Sequence, residues 1–178
     1  LLLEKRIEAV RVVENPQCER EVNQKMNNDP VHSFLLQPVN WVISGIYRDE
    51  KSVPISVRGQ CAISHHEALW LNEMTMELMP ENREKYRNLE YKTIYEYKPL
   101  ESGMDSSSWV ASNPSLGKLH GFIVIADDAI LSLYQSSNGN LRGSETLIKI
   151  SDRQYQCRGA LLESGVVSSS WILQYDRA

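Results

Sequence analysis

The chain has 178 residues, 42% of them hydrophobic and 24% charged, which is ordinary for one globular domain able to bury a sizeable core. A formal net charge of −4 argues against a dedicated nucleic-acid binder, because phosphate contact needs a basic face. Lysines and arginines are spread along the chain without a polybasic cluster, and no run approaches the roughly 18 uninterrupted apolar residues of a membrane span.

Three cysteines, Cys18, Cys61 and Cys157, sit far apart, an odd count that does not read as a secreted disulfide framework. Cys61 and Cys157 fall in predicted strands, where a buried thiol behaves as a small apolar residue. The chain opens at Leu1-Leu2-Leu3 without the charged-then-apolar order of a signal peptide, so a trimmed start and a cytoplasmic protein are expected.

Residues 1–38 differ from the rest. Leu3, Ile7 and Val10 fall at helical spacing, although Val10, Val12 and Val13 are stiff in helices. Asn15-Pro16 reads as an N-cap followed by proline at the first helical position. Cys18, Val22 and Met26 then recur every four residues until Asn27-Asn28-Asp29-Pro30. Two short helices, or one broken at Pro16, are expected to pack on or plug one end of the following domain.

From residue 39 to 178 the pattern is strands and tight turns. Asn40 to Arg48 is followed by a turn at Asp49–Ser52, then by Val53 to Ile63, where Ile55, Val57, Cys61 and Ile63 alternate with Ser56, Arg58 and Gln60. After His65-His66-Glu67, the side chains of Trp70, Met74, Met76 and Leu78 share a face opposite Glu73, Thr75 and Glu77. Tyr91, Thr93, Tyr95 and Tyr97 alternate with Glu90, Lys92, Glu96 and Lys98, aromatics on one face and charges on the other.

A looser stretch, Pro99 to Gly117, carries one short strand near Trp109. Five more strands follow: Leu119 to Ala126, Ala129 to Gln135, Gly143 to Ile150, Gln154 to Leu162 and Val166 to Tyr175. Asn138-Gly139 is the strongest hairpin signal. Links this short permit only antiparallel neighbours. Arg58-Gly59, Arg142-Gly143 and Arg158-Gly159 repeat a dipeptide that predicts bulges or bends, the device that lets a sheet curl shut. The expected fold is all-β, an antiparallel up-and-down meander closing into a barrel of eight to ten strands.

On this pattern the chain resembles the calycin superfamily of lipocalins, fatty-acid-binding proteins and related barrels. That family carries Gly-x-Trp on its first strand after a short helix, and an arginine near the last strand packed over the tryptophan. Here Trp41 opens the first strand, Arg177 ends the last, and Val39 stands where the family glycine belongs. The resemblance implies a calycin-like barrel with Arg177 stacked on Trp41 as a cation–π pair. Trp109-Val110-Ala111-Ser112-Asn113-Pro114-Ser115-Leu116 is similar to the aromatic-Ala-Ser-Pro-Asn-Leu stretch of phycobiliprotein lyases, with Asn and Pro exchanged and the segment mid-chain. This second likeness implies lyase chemistry on a tetrapyrrole.

No G-x-S-x-G, H-E-x-x-H, Cys-x-x-Cys, G-x-G-x-x-G or Walker sequence is present, so no catalytic or metal-binding residue is assigned and no cofactor is named. Neighbouring His65 and His66 point in opposite directions, which disfavours a shared metal. The candidate ligand-binding set is Trp70, Asn72, Met74, Met76, Tyr91, Tyr95, Tyr97, Trp109, His120 and Trp171. These residues either fill the core or line an apolar cavity, with tyrosine hydroxyls and the inward Asn72 amide as polar anchors. Arg58, Gln60 and Glu73 are expected to face solvent, and Arg142 and Glu145 to lie near one rim. Three functions follow: non-enzymatic binding of a small hydrophobic or amphipathic molecule, a lyase or isomerase acting on a bound lipid or tetrapyrrole, or a filled-core adaptor. A protein partner or a homodimer is compatible with each.

Overall fold

The computed structural model describes residues 32–81 and 90–178; the helical reading of residues 1–31, including Asn15-Pro16 and Cys18, lies outside the described residues. Ten strands form: β1 Asn40–Arg48, β2 Pro54–His65, β3 Trp70–Met79, β4 Glu90–Tyr97, β5 Ser106–Asn113, β6 Gly117–Ala126, β7 Ala129–Ser136, β8 Leu141–Ser151, β9 Gln154–Glu163 and β10 Val166–Arg177. Each pairs antiparallel with its chain neighbours, and β1 also pairs with β10 from Trp41 opposite Arg177 to Arg48 opposite Ser170. The fold is therefore an all-β meander closed into a ten-stranded barrel.

Period-two patterning sorts the faces. In β2 the side chains of Ile55, Val57, Cys61 and Ile63 are buried, while Ser56, Arg58, Gln60 and Ala62 are exposed. On that outer face Arg58 pairs with Glu77 of β3 at 2.8 Å. In β4 Thr93 and Tyr97 are buried and Glu90, Lys92 and Glu96 are exposed.

The hairpin links use the turn chemistry their residues permit. Ser164 and Gly165 both take positive φ, 50° and 86°, in a two-residue turn between the paired Glu163 and Val166. At Asn138-Gly139 only the glycine is left-handed, with φ 74°; Asn138 contributes its side chain instead, Oδ1 accepting from Ser136 Oγ at 2.6 Å and from Asn140 N at 3.1 Å.

The Arg-Gly glycines have another role than the bulges expected of them. Register is unbroken at Gly59, Gly143 and Gly159; the irregularities lie between Lys149 and Ser151 and between Val167 and Ser169. Each of these glycines stands directly opposite a large side chain on the next strand, Met76, Tyr134 and Trp171 respectively. A Cβ at residue 159 would sit 2.5 Å from the Trp171 indole, and one at residue 143 would enter the Tyr134 ring. The missing side chains let those rings lie flat on the wall, as aromatic cover over a strand glycine does.

One barrel end is filled by His32–Pro38, which forms a turn. Its residues His32, Ser33, Phe34 and Leu35 are buried. Tyr155 of β9 organises it: its hydroxyl meets Ser33 N at 3.0 Å and His32 Nδ1 at 3.2 Å. His32 Nε2 lies 2.9 Å from the Asp127 carbonyl, Ser33 Oγ donates to the Asp152 carbonyl at 2.7 Å, and His65 Nε2 meets the Leu35 carbonyl at 2.7 Å. Phe34 packs against Trp41, Tyr155 and Tyr175, with ring centroids 5.3–5.8 Å apart. Trp41 is fully buried and takes its ring partners from Phe34 and Tyr155. The expected Arg177–Trp41 stack gives way to this aromatic cluster. Although Arg177 is the register partner of Trp41, its Nη1 reaches Gln37 at 3.4 Å.

Candidate ligand-binding cavity

Towards the end opposite His32–Pro38 the barrel holds a half-open cavity of about 320 Å³. Its wall is built from inward positions of all ten strands. Tyr47 comes from β1, Val57 from β2, Met74, Met76 and Leu78 from β3, and Tyr91, Thr93 and Tyr95 from β4. Trp109 and Asn113 of β5, Leu119 of β6, Tyr134 of β7 and Glu145 of β8 continue it. Leu161 of β9, with Ser169, Trp171, Leu173 and Tyr175 of β10, completes the circuit. A second, smaller space of about 30 Å³ lies closer to the filled end and shares Met74, Tyr95, Trp109, Glu145 and Tyr175 with the first. Ring contacts knit the shared wall: Tyr95 meets Trp109 edge-on at 5.3 Å, and Trp109 meets Tyr134 at 5.6 Å.

Of the residues singled out from sequence, Met74, Met76, Tyr91, Tyr95, Trp109 and Trp171 border the larger cavity. Asn72 and Tyr97 border the smaller one. Trp70 packs at the strand end, its ring stacked on His65 at 4.3 Å, and borders neither. His120 is misplaced in the sequence-based set. It is exposed on the outer face of β6, one position out of phase with Leu119 and Gly121, and lies 3.2 Å from Gln135 Nε2. The segment Trp109–Leu116 sends Trp109 and Asn113 inward. The Asn113 amide donates to Thr93 Oγ1 at 2.7 Å, while its Oδ1 accepts from Ser115 N and Leu116 N at 2.8 and 3.0 Å.

The residue that sequence reasoning placed at a rim is the one ionisable carboxylate facing this interior among the described residues. Glu145 shares the inward face of β8 with Gly143 and Leu147 and borders both cavities. Among the described residues no lysine, arginine or histidine lines either space. Burial pushes its carboxyl up to about 7, opposed only weakly by the Cys157 thiol, whose Sγ donates to Glu145 Oε2 at 3.6 Å. The pair is reciprocal: burial and the adjoining carboxylate both push the Cys157 thiol well above its ordinary range. The phenols of Tyr95, Tyr97, Tyr134 and Tyr175 are raised by burial first and by the Glu145 charge in addition, so all four remain neutral hydrogen-bond donors at neutral pH. Cys61, also buried and free, is pushed up to about 12 and is inert as a nucleophile.

Among the described residues three buried side-chain polar atoms lack partners: Trp41 Nε1 in the aromatic cluster of the filled end, and two that border the cavities. Asn72 Oδ1 and Trp109 Nε1 are buried without a hydrogen bond, each on a residue only 3% exposed. Buried polar atoms are nearly always satisfied by protein or ordered water, so an orphan that borders a cavity has room for a partner from outside the chain.

Period two contained the signal for Glu145, since it stands two residues from Gly143 and from Leu147. Ser144 and Thr146 on the opposite face blur the contrast that made β4 plain.

No protein-family model matches the chain, and no curated protein does. Among solved structures the chain is similar to the ywiB protein from Bacillus subtilis, at 12% identity and a TM-score of 0.35, over 79% of this chain and 92% of that one. It is also similar to an N-terminal dehydratase from the difficidin assembly line, at 10% identity and a TM-score of 0.26, over 91% of this chain and 82% of that one. Both likenesses are distant, and the functional reading rests on the barrel's own residues.

Proposed function

We propose that this protein is a calycin-like carrier that binds a small hydrophobic or amphipathic molecule inside its barrel without transforming it. The observation that carries the reading is the cavity of about 320 Å³, walled mainly by aromatic and aliphatic side chains with a few converging polar groups. Ligand sites begin at about 300 Å³ and have this make-up, whereas a barrel whose side chains fill it has no room of that size. Met74 and Met76 add an adaptable surface, since the unbranched thioether side chain repacks at little cost. The adaptor reading, which requires a filled interior, loses support for the same reason.

Native mass spectrometry of the protein purified from its own host tests this reading. The expected spectrum shows a fraction of the chain carrying one small molecule that is released on denaturation. A bare chain that also fails to take up added apolar compounds overturns the proposal.

Glu145 supports a second reading. An inward carboxyl poised near neutrality can give or take a proton, which is what a lyase or isomerase acting on a bound lipid or tetrapyrrole would need. The two readings separate on one variant: Glu145→Gln abolishes turnover of the bound molecule under the enzymatic reading, while the carrier shows no turnover to lose.

A further inference from the structure

We infer that the molecule bound in this barrel presents a cationic nitrogen, a protonated amine in the simplest case, which pairs with Glu145 while its apolar remainder fills the larger cavity. This rests on the carrier reading above and adds the chemical class of the ligand. The geometry points there in three ways. Among the described residues Glu145 is the only charged side chain on the wall of either space, and its contact there is a thiol at 3.6 Å, too weak a donor to satisfy a carboxylate. A half-buried carboxylate without a counter-charge either takes up a proton, as its raised value reflects, or is paired by what binds beside it. The surroundings also suit a cation. Trp109 contacts both Tyr95 and Tyr134 on the cavity wall, aromatic rings of the kind that attract a positive charge, while Asn72 Oδ1, unpartnered and buried, is an acceptor for a second N–H. An anionic ligand would meet Glu145 with no basic residue, among the described residues, in either lining to hold it.

The groups that face Glu145 are Tyr134 from β7, Cys157 from β9, Tyr175 from β10, and Tyr95 and Tyr97 from β4; all are neutral through the neutral pH range. Glu145 alone therefore changes charge between about pH 5.5 and 8 within this set. Ammonium binding favours its ionised form and strengthens as pH rises across that range.

The test uses three probes of equal chain length, octylamine, 1-octanol and octanoate, titrated calorimetrically into the full-length protein. The expected order is octylamine tightest, by about ten-fold or more over 1-octanol, with octanoate weakest. The advantage of octylamine grows from about pH 5.5 to 8 while that of 1-octanol stays level. In Glu145→Gln, checked for a cooperative unfolding transition, the gap between octylamine and 1-octanol closes. Should that variant not fold, the wild-type pH profile decides alone. Equal affinity for octylamine and 1-octanol, a gap that survives the substitution, or an amine affinity flat with pH overturns this inference and leaves the carrier reading standing. Failure of all three probes to bind overturns both.

Discussion

A carboxylate that faces an apolar hollow weakens the fold whenever it is ionised, and Glu145 makes this measurable. The rise of its carboxyl from the ordinary 4.5 to about 7 corresponds to about 3 kcal/mol. Below about pH 4.5 both folded and unfolded chains carry a neutral carboxyl, so the full stability is present. Between about pH 4.5 and 7 the unfolded chain ionises first, stability falls, and the loss is complete above the folded value. Glu145→Gln removes the penalty. Urea unfolding at pH 5 and pH 8 is expected to show the variant gaining on the wild type by about 2–3 kcal/mol between the two. A constant difference across that range would mean that the carboxyl titrates normally and is not enclosed. Stability given up at a single inward residue is what a binding site looks like when its charge serves a ligand rather than the fold. That residue was hard to find in the sequence. Its neighbours Ser144 and Thr146 are small and amphipathic, so the face of β8 could not be ranked as Tyr91-Lys92-Thr93 ranked β4.

At the scale of elements, all ten strands were legible because alternation and turn residues agree at nearly every link. Tyr91, Tyr95 and Tyr97 set against Lys92 and Glu96 leave little ambiguity about a face. What the sequence did not reveal was the role of contacts distant along the chain. Gly59, Gly143 and Gly159 look like bends until the strand beside each supplies Met76, Tyr134 and Trp171. His32–Pro38, beyond the helix end expected at Asn27-Asn28-Asp29-Pro30, likewise has no pattern of its own, because nothing local shows that Tyr155, more than a hundred residues on, will hold it as a turn. His120 differs for a plainer reason: the strand from Leu119 onward is apolar on both faces, Leu119, Ile123 and Ile125 against Phe122 and Val124, so alternation does not say which face the histidine joins. The importance of Tyr155 can be tested. Tyr155→Phe removes the hydroxyl that Ser33 N donates to and leaves that buried N–H without its partner, at an expected cost of about 1–3 kcal/mol in urea unfolding. Burial also holds the neighbouring His32 below its ordinary 6.5, so its contribution is present above that value and declines as pH falls through the lowered one. Wild-type stability near pH 8 within a few tenths of a kcal/mol would show that the Tyr155 hydroxyl does not organise the closed end.

For the whole molecule, closure decides what the interior can be. The pairing of β1 with β10 joins residues at opposite ends of the barrel sequence, leaves no free sheet edge, and turns one face of every strand towards a common space. One end of that space is filled by Trp41, Phe34 and Tyr155, and the remainder stays open enough to hold a molecule. All four tryptophans, Trp41, Trp70, Trp109 and Trp171, lie on the inner face, which makes the interior its own reporter. The most direct measurement is therefore energy transfer from these tryptophans to N-phenyl-1-naphthylamine, an apolar fluorophore, in the wild type and in a Leu161→Trp variant that fills the cavity from β9. Saturable uptake of one probe per chain, lost in the folded Leu161→Trp variant, is the predicted result; uptake without saturation, or uptake that survives the filled cavity, contradicts the account.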